Sequence, residues 1–156
     1  MDDTIKKKLN ELYDFHCFML TERGTVYPMY FVVKDKMITP ILISEGTEMS
    51  FSNYTVETMK IASDIKADAM VLISEQDVVS GKASDKDIQS LLDGSIRPSE
   101  HPDKEEYLIL TFMDKSGNKS ALYGKIELDA RGTKFIREQQ WTQEQEMKKV
   151  PWETWG

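Results

Sequence analysis

Tyr107-Leu108-Ile109-Leu110-Thr111-Phe112-Met113 is followed by Asp114-Lys115-Ser116-Gly117-Asn118 and a second run, Lys119 to Leu128. Asp129-Ala130-Arg131-Gly132 and a third run, Thr133 to Trp141, complete the stretch that decides the fold. The three β-prone runs are joined by short polar turns, each holding a glycine where a positive φ is wanted, which reads as an antiparallel β-meander.

Immediately upstream, Arg97-Pro98-Ser99-Glu100-His101-Pro102-Asp103-Lys104-Glu105-Glu106 is densely charged. Its prolines fix φ and push the preceding residues out of the helical region, so a stiff, extended loop enters the meander. Ala69-Met70-Val71-Leu72-Ile73-Ser74 is nearly continuous in apolar residues, as expected of a central strand covered on both faces, with Glu75 at its C-terminal end. Residues 76–105 are the longest interruption. Within them Ser84-Asp85-Lys86-Asp87 opens a short helix through Leu91 and Leu92 that Gly94 stops.

Toward the N-terminus, Ile5, Leu9, Leu12, Tyr13, His16 and Leu20 recur at spacings of three and four, predicting an amphipathic helix over 3–21. Asp2 and Asp3 suit its positive end, and Arg23-Gly24 its stop. Thr25 to Val33 and Met37 to Ile43 read as a hairpin around Lys34-Asp35-Lys36. Pro28 and Pro40 then require an edge, a bulge or a non-bonding position, because proline cannot donate to the ladder. A second helix, capped by Ser52 or Asn53 and running to about Lys66, turns Val56, Met59, Ala62 and Ile65 inward. There is no internal repeat. The order helix, two strands, helix, strand, long excursion with a short helix, three strands predicts an α+β domain. Its sheet is mostly antiparallel, of about six strands, and is packed by two main helices. The domain covers residues 1–141, and residues 142–156 form a tail carrying Trp152 and Trp155. The order is similar to roadblock/profilin-like and deaminase-like three-layer arrangements, a likeness that bears on fold alone.

At 156 residues, with 40% hydrophobic and 30% charged side chains, the chain can bury one substantial core. The net charge of −7 is spread evenly: residues 1–75 hold 8 Lys/Arg against 12 Asp/Glu, and residues 76–156 hold 12 against 15. Long-range attraction to nucleic acid or an anionic membrane is therefore disfavoured. The lone cysteine, Cys17, excludes an intramolecular disulfide framework and reads as a small buried hydrophobe. With neither a signal-like apolar run nor a span of about 20 apolar residues, the expected location is cytoplasmic.

Metal chemistry lacks its ligands: His16 and His101 are the only histidines, and no His-x-Glu or Cys-x-x-Cys occurs. Gly-x-Ser-x-Gly and both glycine-rich phosphate loops are also missing, so no cofactor is called for. His16 and Cys17 are helix neighbours about 100° apart and do not form a catalytic pair. What remains is a charged cluster, with Glu75 ending one strand, Glu105 and Glu106 beginning another and His101 just upstream. If the strands run antiparallel, Glu75 and Glu106 meet at one end of the sheet, with Arg97 and Lys104 to neutralise them. Paired carboxylates in a cleft support acid–base work. The plainer reading is a salt-bridged anchor closing the excursion. Trp152 and Trp155 either bind a partner or fold back onto their own domain.

Gly24-Thr25-Val26-Tyr27-Pro28, Ala69-Met70-Val71-Leu72-Ile73-Ser74-Glu75 and Pro98-Ser99-Glu100-His101-Pro102-Asp103-Lys104-Glu105-Glu106, in that order, resemble a loose set of small bacterial and phage α+β proteins. Those share a Gly-x-Val-x-Pro start, a Val-Leu-x-Ser-Glu strand end and a Pro-Ser-x-x-Pro-Asp-x-x-Glu loop. Gln76-Asp77 departs from the aromatic that often follows their Ser-Glu pair. The resemblance implies the architecture and brings no activity with it. The functional expectation is a non-enzymatic accessory or protein-binding domain, with a homo-oligomer among its possible assemblies. The alternatives are a hydrolase-like acid–base enzyme using Glu75, His101 and Glu106, and an acidic mimic of nucleic acid.

Overall fold

The computed structural model describes residues 1–42, 50–79, 104–142 and 145–146. Helix α1, Asp3–Arg23, begins where the Asp2 carboxylate accepts the backbone N–H groups of Thr4 and Ile5, at 2.8 and 3.2 Å. It ends where Gly24 takes φ +77 and returns its N–H to the Leu20 carbonyl. The buried stripe is the expected one, Leu9, Tyr13, His16 and Leu20, with Ile5 and Leu12 at its margins. Burying each large apolar side chain stabilises the fold by about 1.5–3 kcal/mol.

Strands β1, Met29–Lys34, and β2, Met37–Ile41, form the predicted hairpin, but its turn is two residues, Asp35 and Lys36, both at positive φ. Pro28 stands just before β1, so the first strand is shorter than Thr25 to Val33. A two-residue turn makes Lys34 and Met37 a hydrogen-bonded pair, and the ladder alternates from there. Pro40, opposite Phe31, therefore falls at a non-bonding position with its nitrogen turned away from β1. Proline costs this hairpin nothing.

Helix α2 runs from Phe51 to Asp64 and is capped by Ser50, whose hydroxyl accepts the Asn53 N–H at 3.1 Å. The cap differs from expectation, and the inward face does in part: Ala62 is buried and Met59 packs inward as expected, but Tyr54 and Thr58 are buried with them while Val56 and Ile65 are exposed. Two polar-tipped residues take the core because their hydroxyls are satisfied there. Thr58 donates to the Tyr54 carbonyl. Tyr54 accepts the Tyr30 N–H and donates to the Ile41 carbonyl, bridging the end of the β1–β2 ladder.

Strand β3 extends from Ala69 to Val79, beyond the predicted end at Ser74, so Glu75 lies within the strand. Strands β4, Lys104–Asp114, β5, Asn118–Leu128, and β6, Lys134–Trp141, form the meander, with Gly117 and Gly132 at positive φ in its turns. A two-residue β7, Gln145–Glu146, continues the pairing along the β5 edge past Trp141. The six main strands form one antiparallel sheet in the order β2-β1-β3-β4-β5-β6. The predicted short helix near Leu91 lies outside the described residues.

The helices cover opposite faces. On the α1 face Leu9, Tyr13 and Leu20 pack on Phe31, Val33, Val71, Ile73, Leu108, Leu110, Leu122 and Ile126. Gly124 lets the helix come close: a Cβ there would stand 2.4 Å from the Ile136 side chain and 3.0 Å from the Tyr13 hydroxyl. That hydroxyl donates to the Leu108 carbonyl at 2.7 Å. On the other face α2 packs over Tyr30, Val32 and Met70. β3 is thus covered on both sides, as its sequence requires. Among the described residues no helix is long and apolar enough to cross a membrane.

Candidate functional site

Strand alternation sorts the predicted carboxylates. Glu75 pairs in register with Leu108, whose side chain is in the α1-side core, so Glu75 points to that face. Glu106, opposite Asp77, shares this face one diagonal step away and is exposed. Glu105 points to the opposite face, so the sheet divides the expected Glu75/Glu105/Glu106 cluster. Adjacent glutamates on a strand cannot serve one cleft.

Each of Glu75 and Glu105 has a cation, though neither is a predicted one. Lys134 Nζ of β6 lies 3.8 Å from Glu75 Oε1, with both side chains about three-quarters buried. Glu75 Oε1 has no solvent contact and accepts no hydrogen bond among the described residues, so the ion pair alone compensates it. On the other face, Lys125 Nζ lies 3.5 Å from Glu105 Oε1, and the Tyr107 hydroxyl donates to Glu105 Oε2 at 2.9 Å. Burial, reinforced by that carboxylate, pushes the Tyr107 phenol up. Lys104 opens β4 opposite Val79. Arg97, His101, Trp152 and Trp155 lie outside the described residues, as does the Lys104 side chain. Among the described residues no group of three His, Cys, Asp or Glu side chains is placed to hold a metal ion.

His16 and Cys17 are structural. His16 Nδ1 donates to the Leu12 carbonyl at 2.9 Å, and the ring meets Phe15 and Phe31 edge-on. Burial holds its pKa below the usual histidine value. Burial, helped by the Asp14 charge, pushes the Cys17 thiol up to about 12, which removes the thiolate needed for nucleophilic work.

Surface concavities also lie among the described residues. The first, about 610 Å³, runs between α1 and the β2 edge, lined by Leu12, Phe31, Met37, Ile38 and Pro40 with Lys8 and Glu11 at its rim. Helical spacing carries this strip on from Glu11 and Leu12 to Phe15 and Phe18, which are 55% and 61% exposed; Met37 is 68% exposed. The second, about 600 Å³, lies over Tyr107, Tyr123, Lys125, Glu127, Arg137 and Gln140. Several of its polar groups are paired: Lys125 with Glu105, Arg137 with Glu127 at 3.3 Å, and Gln140 donating to the Tyr123 hydroxyl. The third, about 290 Å³, sits beside α2 over Tyr30, Met70, Leu72 and Met113. The sequence held a signal for the first groove. Phe15 and Phe18 are aromatic residues outside the inward stripe of α1. No family model, curated protein or solved structure matches this chain.

Proposed function

We propose that this protein is a non-enzymatic binding module that holds an amphipathic helix of a partner protein in the groove between α1 and β2. The carrying observation is a groove lined by Leu12, Phe31, Met37, Ile38 and Pro40, with Met37 more than half exposed and Phe15 and Phe18, likewise exposed, one and two helical turns further along α1. Contiguous exposed apolar surface with a polar rim is the composition of a protein interface. Helix docking is favoured over strand addition because Pro40 removes an outward N–H from the β2 edge, while the groove takes side chains. Lys8 and Glu11 provide rim partners of both signs.

Photo-crosslinking in cells tests this. A crosslinker at position 37 should give a discrete adduct with a different protein that Phe15→Ser/Phe18→Ser abolishes. The same group at position 125 should not give it. Equal adducts from both positions, or none from 37, would overturn the proposal. An adduct of the chain with itself, matched by a dimer in light scattering that the double variant dissolves, would replace the partner helix with a second copy.

A further inference from the structure

We infer that the 290 Å³ hollow beside α2 is a receptor for an aromatic side chain, and that its occupant is Trp152 of the same chain. The register supplies the geometry. Gln145 of β7 stands opposite Lys119, Lys119 opposite Met113, and Met113 opposite Met70, making one row straight across the sheet. Lys119, Met113 and Met70 all line the hollow. The chain therefore crosses the row of residues that builds this cavity at Gln145, and its last described strand ends one row further on, with Glu146 opposite Asn118.

Length and chemistry agree with that placement. Three inter-strand steps separate β7 from β3, about 14 Å at the usual strand spacing. Trp152 lies six residues beyond Glu146, and six residues span at most about 20 Å. Reach is sufficient with little slack, and Pro151 favours an extended approach by biasing Val150 toward β or polyproline geometry. At about 290 Å³ the hollow has room for a single aromatic side chain. Its lining includes the half-buried Met113, whose thioether makes a favourable sulfur–aromatic contact, the buried Met70, and the Lys119 cation. Trp152 would extend to the β4–β5 side the cover that α2 gives β1 and β3. This inference concerns the face opposite the α1–β2 groove and stands independently of the proposed partner.

Methyl NMR of the full chain tests it. The Met70 and Met113 methyl resonances should show ring-current displacement that Trp152→Ala removes, that Trp152→Phe partly keeps and that Trp155→Ala leaves in place. Backbone amide shifts of β1 to β3 should hold in every variant, showing that the fold is intact. Met methyls unmoved by Trp152→Ala would overturn the inference. Loss on Trp155→Ala alone would assign the hollow to the wrong indole. Displacement that fades on dilution would place another molecule's tryptophan there and overturn docking within one chain.

Discussion

The two faces of the sheet are built to different standards. The α1 face is closed by a 21-residue helix that lies across the sheet, with Phe31 on β1 against His16 and β6 fastened to it through Trp141. The Trp141 indole donates to Asn10 at 3.0 Å and lies under Lys6, while Gln139 donates to Asp14. The α2 face is closed by 14 residues over β1 and β3, and among the described residues no helix lies over β4 to β6. The comparison teaches where this fold spends its apolar surface. One face secures the sheet, and the other leaves a tyrosine-rich half on which Lys125 is paired with Glu105 and Arg137 with Glu127.

The contrast can be broken by mutation. Leu110→Ala, in the α1-side core, should cost about 2–5 kcal/mol in urea unfolding. A cost below 1 kcal/mol would mean the α1 face is not the structural one. Tyr54→Phe should lose about 1–3 kcal/mol, because the Tyr30 N–H and the Ile41 carbonyl both lose their partner, and Tyr13→Phe should cost a similar amount by orphaning the Leu108 carbonyl. Equal penalties would show that each helix is held by one buried hydroxyl regardless of the area it covers. At the low end, Arg137→Ala on the open half should change stability by about 0–1 kcal/mol, since its pair with Glu127 is largely exposed.

A pH series sharpens the same comparison. The folded-state pKa of His16 lies below its unfolded value, so the unfolded chain binds the proton more readily. Its contribution is fully present above the unfolded value near 6.5 and is lost as pH falls through the folded one. The denaturation midpoint should drop between pH 7.5 and 5, and His16→Phe should flatten that slope. An unchanged slope would relieve His16 of the role.

How much of this was legible depended on whether the signal was local. The meander could be read because Gly117 and Gly132 mark their own turns, and α1 because its stripe runs unbroken from Ile5 to Leu20. The face of α2 was misread because hydrophobicity favoured Val56 and Ile65, whereas Tyr54 and Thr58 win the core through hydrogen bonds to groups that no periodicity displays. The end of β3 was misplaced for a similar reason. Glu75 looks like a terminus until Lys134, far along the chain, supplies its counter-charge. For the candidate site, spacing named the carboxylates, but pleat parity decided which could share a face. Gly124 was a local cue to close approach that its strand-like surroundings concealed.

Pro40 reaches beyond the hairpin it occupies, into how the protein behaves when crowded. One rim of the sheet lacks an outward donor at Pro40. The other, β6, breaks register near Gly124 and displays Arg137 and Glu138. A sheet blunted at both rims is a poor template for endless strand stacking. Concentrated or heated samples should therefore cloud into amorphous, dye-negative precipitate through the Phe15–Met37 strip, leaving ordered fibrils as the slower fate.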